Sequence, residues 1–198
     1  MFDEKTIRFY EREAKRYAAA TAEQSMNEQI ARFTKFLPGN ALIVDLGCGG
    51  GRDLANFSRR GFNAVGLDAA FELAKIAGAT SGCPVVVGDL LQMPFAKGSF
   101  DAVWASASLL HIQRNEIDHA LNLINDILVA GGFFFCSMKV GRGELRTDDS
   151  RFFTYFMPSE WNERLACTGF ELIESQADGF IGSEAGDRWM NTIARTVR

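Results

Sequence analysis

Three aspartates sit where short apolar runs end. Asp45 closes the run 41–44, Asp68 closes Val65–Leu67, and Asp89 follows the valines 85–87. After the first acid, glycines fall at Gly47, Gly49 and Gly51, and a helical pattern begins at Arg52. A strand that runs through such a loop into a helix is a nucleotide-binding turn, because residues without Cβ let the backbone lie close against a ligand. An acid at the end of the next strand is placed to accept hydrogen bonds from a ribose diol. The combination points to an adenosine-type cofactor.

The details narrow the ligand further. A dinucleotide fingerprint started from Gly47 would need its last glycine at position 52, which is Arg52, and no Gly-Lys-Ser/Thr run of a P-loop is present. Asp45 would repel a polyphosphate and tolerate a cation. A tight turn built of glycines for packing alone is the competing reading of the loop, and a helix cap or turn that of each acid. A nicotinamide oxidoreductase is a third possibility, against which the displaced glycine and the Gly88-Asp89 turn both count.

The elements that must position these residues follow from periodicity. Residues 4–20 place Ile7, Tyr10, Ala14, Tyr17 and Ala18 on one helical face, and Met26, Ile30, Phe33 and Leu37 mark a second helix stopped by Pro38-Gly39. Strands are expected at 41–46, 63–68, 84–88, 100–106 and 133–139. Helices are expected at 52–60, 71–77, with a break from Gly78 to Pro84, and 114–129, ended by Gly131-Gly132. A helix opened by Pro158 ends before Gly169, and the last strands are 170–176 and 189–197. The stretches 140–152 and 178–188 read as irregular. Alternating strands and helices predict an α/β, doubly wound, mostly parallel seven-stranded sheet covered on both faces. The 198 residues read as one domain: N-terminal helices (1–38), a cofactor-binding core (40–140), and a loop, helix and two strands on the substrate side (140–198).

Composition bounds the partners. A net charge of -4 lacks the clustered positive charge of a nucleic-acid surface. No apolar run approaches membrane-spanning length, the N-terminus has no signal-peptide core, and four scattered cysteines (Cys48, Cys83, Cys136, Cys167) read as free thiols of a cytoplasmic protein. With only two histidines and no Cys/His or clustered-acid spacing, no metal site is expected.

Val44-Asp45-Leu46-Gly47-Cys48-Gly49-Gly50-Gly51 resembles motif I of class I S-adenosylmethionine-dependent methyltransferases. Gly66-Leu67-Asp68, Gly88-Asp89-Leu90, Phe100-Asp101-Ala102-Val103-Trp104 and Ala130-Gly131-Gly132 resemble the later motifs in order and spacing. The resemblance implies S-adenosyl-L-methionine as cofactor. Asp68 with Ala69 would take the ribose, Asp89 and Leu90 the adenine, and Gly47 and Gly49 the methionine and ribose. Asp45 and the carbonyl of Ala105 would face the methionine ammonium. Tyr17 either lies over the methionine end or is a core aromatic. Arg52 either pairs with the cofactor carboxylate or is a solvated helix start.

His111 follows the fourth strand near the sheet's carboxyl edge, where it reads either as a general base or as a packing residue. Trp104, Arg142, Arg151 and Tyr155 are candidates for the acceptor pocket. In the alternative, Arg142, Arg146 and Arg151 pair with Glu144, Asp148 and Asp149 on a solvated loop. The stretches 104–111 and 151–156 are similar to a bacterial subgroup labelled tellurite-resistance-like. The expected activity is methyl transfer to a small-molecule acceptor through oxygen, nitrogen, sulfur or a metalloid, by a monomer or homodimer that binds neither nucleic acid nor membrane. The alternative is a non-catalytic binder that senses the cofactor or serves a partner.

Overall fold

A computed structural model describes residues 3–179 and 188–198 of the chain. Helices α1 (Glu4–Ala22) and α2 (Asn27–Thr34) precede β1 (Leu42–Leu46), α3 (Arg52–Arg59), β2 (Asn63–Asp68), α4 (Phe71–Ser81) and β3 (Val85–Val87). Then come β4 (Phe100–Ser106), a single 3-10 turn (Leu109–His111), α5 (Ile117–Ile127) and β5 (Leu128–Lys139). A hairpin of β6 (Glu144–Arg146) and β7 (Phe152–Thr154) leads to α6 (Pro158–Cys167), β8 (Phe170–Gly179) and β9 (Arg188–Thr196). The main sheet has seven strands in the order β3-β2-β1-β4-β5-β9-β8, parallel except that β9 runs antiparallel to both neighbours. Strand order reverses at β1, between β2 and β4, and opens a crevice at the carboxyl edge.

Side-chain alternation sorts the core into two layers. On β4 and β5, Ala102, Trp104 and Phe135 point to one face, where Ile30 and Phe33 of α2 and Leu54 and Phe57 of α3 bury against them. Val103, Ala105, Phe134 and Cys136 point to the other, against Ile117, Leu121 and Ile124 of α5 and Trp161 and Leu165 of α6. Both layers are buried, which is why the central strands are apolar on both faces. No helix of the described residues is long and apolar enough to cross a membrane.

Three expectations change. Gly131-Gly132 do not end α5: the strand begins at Leu128, and the glycines sit inside it at a register shift between Phe100 and Ala102 of β4. Gly131 has φ +72°, and a Cβ on Gly132 would come within 3.1 Å of the Asp101 carbonyl oxygen, so the pair lets the strand bend against its neighbour. Helix α4 runs past Gly78 to Ser81 and stops at Gly82, whose φ of +69° suits a glycine cap. The stretch expected to be irregular at 140–152 carries the β6–β7 hairpin, pinned to α1 where the Arg146 guanidinium grips both oxygens of Asp3, at 2.9 and 2.7 Å. Of the stretch 178–188, residues 180–187 lie outside the described residues.

Candidate functional site

The glycine loop is held to β2 by its own backbone. The N–H groups of Gly47 and Cys48 both donate to the Leu67 carbonyl, at 2.7 and 3.1 Å, and the Gly49 N–H donates to a carboxylate oxygen of Asp68 at 2.8 Å. Gly47 adopts φ +74°, and a Cβ there would lie 2.4 Å from that of Ser108, so only glycine lets the loop pass the chain that leaves β4. That chain is itself strained. Ala107 has φ +56°, a conformation rare for a residue with a side chain, and its N–H is held by the Ser137 hydroxyl at 2.8 Å.

Two contiguous cavities flank this junction and share Tyr17, Gly47, Gly49 and Ala107 on their walls. The second is lined by Asp68, Ala69, Leu73 and Leu90 together with Tyr10, Ser108 and His111. The other oxygen of Asp68 accepts from the Ala70 N–H at 2.9 Å, and burial pushes this carboxyl up to about 6. The Ser108 hydroxyl is buried with no partner among the described residues, as expected of a group whose partner is a ligand.

Asp45, Arg52, Asp53, Ser106, Ser137 and Asn191 line the first cavity, beneath Thr21, Gln24 and Met26 of α1 and the α1–α2 connection. Asp45 is fully enclosed. Burial, and then the neighbouring Asp53 charge, raise its carboxyl well above the usual range. Arg52 forks onto Asp53 through Nε (2.6 Å) and Nη2 (2.9 Å), and its other Nη reaches toward the Thr21 carbonyl. It is thus paired at the cavity wall and is not a solvated helix start. Tyr17 lies on the shared wall, packed edge-on to Tyr10. It is neither a pure core aromatic nor free of its neighbours.

His111 is clamped from both sides. Its Nδ1 lies 2.6 Å from the Phe152 carbonyl oxygen and its Nε2 lies 2.9 Å from the Tyr10 hydroxyl. Burial lowers its pKa to about 4, so the ring is neutral near pH 7.

Several expected residues stand elsewhere. Trp104 is fully buried one layer below the site. Its ring stacks on Phe135 at 3.7 Å, and its indole N–H donates to Asp53 at 2.9 Å, so it cannot line an acceptor pocket. Alternation along β4 gives the cavity Ser106, two residues on, instead. Ala105 is buried on the opposite face and lines neither cavity; Ser106 and Ala107 do. Asp89 lines neither cavity; one of its oxygens caps its own turn by accepting from the Leu91 N–H at 2.8 Å, and Leu90 alone of that pair reaches the wall. Arg142 is exposed, and Tyr155 packs on Gly141, both outside the cavities. Arg151 bonds Asp149 and stacks over Phe9 and Phe153, so it stands behind Tyr10. Arg146 pairs with Asp3, not with an acid of its own loop. Tyr10, Asp53, Ser108, Ser137 and Asn191 are site residues that the motifs did not reveal. Only the shared helical face of Tyr10 and Tyr17 hinted at one of them.

Comparison with known proteins now has a geometry to meet. Residues 44–136 match a family described as a methyltransferase domain. A demethylmenaquinone methyltransferase of Thermobifida fusca is 34% identical over 105 residues, covering 50% of this chain and 44% of that protein. A malonyl-[acyl-carrier protein] O-methyltransferase of Herminiimonas arsenicoxydans is 26% identical over 199 aligned positions, covering 95% of this chain and 75% of that protein. The chain thus spans under half the length of the first of these. Among solved structures, the 1,6-didemethyltoxoflavin-N1-methyltransferase of Burkholderia thailandensis, bound to 1,6-didemethyltoxoflavin and S-adenosylhomocysteine, superposes with a TM-score of 0.82. It is 20% identical and covers 98% of this chain and 88% of its own.

Proposed function

We propose, from the class I S-adenosylmethionine-dependent methyltransferase domain that the chain carries over its cofactor-binding core, that this protein transfers the methyl group of S-adenosylmethionine to a small-molecule acceptor through oxygen, nitrogen, sulfur or a metalloid. The observation that carries the reading is the pair of cavities meeting at Gly47 and Gly49, one walled by Asp68 and the other by Asp45 and Arg52. The residues fit the cofactor. Asp68 has acceptor capacity for a ribose diol, Ala69 and Leu90 offer backbone and an apolar wall beside it, and Ser108 has an unpaired hydroxyl. Asp45, held toward its neutral form by burial, regains its charge beside an ammonium group, and Arg52 offers a guanidinium to a carboxylate. When bound, the cofactor supplies an electrophilic methyl on a sulfonium with a neutral leaving group, so alignment and exclusion of water can supply much of the rate.

The chain's own contribution is to orient and to accept a proton. Tyr10 lines the second cavity with its hydroxyl on Nε2 of His111, and a proton reaching Tyr10 Oη would pass on as the phenol proton moves to that nitrogen. With its pKa lowered to about 4 by burial, His111 is a weak proton store. In this reading His111 lines the cavity beside Tyr10 and receives its proton.

A pocket plugged by Phe152 or Phe153 would have favoured a non-catalytic binder. Instead Phe153 packs on His111 from behind, and neither phenylalanine lines the cavities. The toxoflavin-precursor enzyme among the structural relatives supports a small heterocyclic acceptor. The likeness of 104–111 and 151–156 to the tellurite-resistance-like subgroup rests largely on core residues such as Trp104, Phe153 and Phe156, so it is a likeness of packing more than of acceptor. Four free thiols fit a reducing cytoplasm, with the chain as a monomer or homodimer. Calorimetry with S-adenosylmethionine, S-adenosylhomocysteine and NAD tests the reading: binding of the first two supports it, and binding of NAD alone overturns it.

A further inference from the structure

The carboxyl edge carries a polar row that the cofactor reading does not use. Ser106 of β4 pairs in register with Ser137 of β5, and Ser137 with Asn191 of β9. The three side chains share one face and all line the first cavity. Ser137 is engaged with the Ala107 N–H, but Asn191, at 7% exposure, has no partner for either Oδ1 or Nδ2 among the described residues. Leaving both ends of a buried amide unpaired is costly, and native structures keep such groups chiefly where a ligand or water completes them. β9 stands two strands beyond β4, roughly 10 Å at ordinary strand spacing. That is away from Asp68 and Leu90 and on the side left for an acceptor.

The surroundings limit what completes it. Arg52 on the cavity wall is held by Asp53 and, in the cofactor reading, by the methionine carboxylate, and Arg151 behind Tyr10 is held by Asp149, while Asp45 and Asp53 set carboxylates in the wall. An anion therefore meets acids and cations already paired. Met26 and Trp189 give apolar surface beside the amide. A buried carboxamide with both atoms unpaired has one acceptor and one donor in a single plane, which matches a ligand edge carrying a donor and an acceptor side by side.

We infer, on the strength of the methyltransferase reading, that Asn191 is the specificity-determining residue for the methyl acceptor, and that the acceptor is a neutral, planar molecule with a lactam-type or carboxamide-type edge. The probe is 2-pyridone, with N-methyl-2-pyridone as the control in which a methyl group replaces the donor hydrogen. Both are titrated by ligand-observed NMR into the protein saturated with S-adenosylhomocysteine, after calorimetry has given the affinity for that nucleoside. The wild type is expected to bind 2-pyridone at least tenfold more tightly than the N-methyl control. Asn191→Leu is expected to lose that preference while its S-adenosylhomocysteine affinity stays within twofold and its melting temperature holds or rises. If Asn191→Leu does not fold, Asn191→Ser carries the same comparison. Equal binding of the two pyridones by the wild type, binding of neither, or an unaltered preference in the variant overturns the inference while leaving the cofactor reading intact. Failure of the wild type to bind S-adenosylhomocysteine removes the cofactor reading, and this inference with it.

Discussion

The hydroxyl of Tyr10 lies 2.9 Å from Nε2 of His111, whose Nδ1 lies 2.6 Å from the carbonyl oxygen of Phe152. A carbonyl can only accept, so Nδ1 carries the proton, Nε2 is the acceptor, and the Tyr10 O–H must donate to it. One backbone carbonyl on β7 therefore sets the direction of a hydrogen bond that ends in the cavity. Tyr10→Phe deletes the hydroxyl and keeps the ring packing. It is expected to lower kcat by about tenfold to a hundredfold, with S-adenosylhomocysteine affinity nearly unchanged. An unaltered kcat would make Tyr10 a packing residue.

The same clamp makes stability depend on pH. The folded pKa of His111, about 4, lies below its ordinary value of 6.5. Between those values the unfolded chain binds the extra proton. The contribution is therefore present above pH 6.5 and is lost as pH falls toward 4, to a limit of about 3 kcal/mol. Denaturant melts of wild type and His111→Gln from pH 7.5 to 4.5 should show a shallower decline in the variant. Parallel curves would refute the clamp's contribution.

Asp68 has the opposite sign. Its folded pKa, about 6, is above the ordinary 3.8, so its burial favours the folded state at low pH, and that contribution is lost as pH rises through 6. Ligand binding needs the carboxylate. Affinity for S-adenosylhomocysteine is expected to fall from pH 7 to pH 5, approaching tenfold per unit below about 6. Asp68→Asn should bind about 10- to 100-fold more weakly at pH 7 and lose that part of the pH dependence. A variant that binds as wild type does would remove Asp68 from the nucleoside site.

Asp53 joins two layers of the site, accepting from both the Arg52 guanidinium and the buried Trp104 indole. Asp53→Ala leaves an indole N–H unpaired in the core and frees the guanidinium, at an expected cost of about 2–4 kcal/mol in chemical denaturation. Asp53→Asn, which keeps an acceptor for the indole, should recover part of that loss.

Gly47→Ala tests the close passage of the loop and the chain leaving β4. The new methyl would need a positive φ and would sit 2.4 Å from the Ser108 Cβ. Backbone movement at the shared wall of both cavities is expected to weaken S-adenosylhomocysteine binding by more than about tenfold. Wild-type affinity in a folded variant would show that the loop position is not demanding.

The sequence alone determined the order of the main-sheet strands and their helices, the doubly wound class, and the glycine loop of Gly47 and Gly49 with Asp45 and Asp68 at the ends of the strands beside it. These depend on local spacing: apolar runs of strand length, glycines where backbone must turn, and acids where strands end. What only the tertiary structure decided depends on which face a residue meets and on partners far along the chain. Trp104 reads as an edge residue in sequence, yet alternation on β4 turns it down onto Phe135 and gives the cavity Ser106. Arg146 finds Asp3 across 143 residues, Tyr10 finds His111 across 101, and Asn191 joins Ser137 through an antiparallel register that spacing cannot reveal. Gly131-Gly132 carry the same glycine signal as a helix stop and serve as a strand bend, because backbone freedom alone does not say which turn will use it. The half of the site proposed for the cofactor is thus written in contiguous motifs, and the half proposed for the acceptor exists only where distant segments meet.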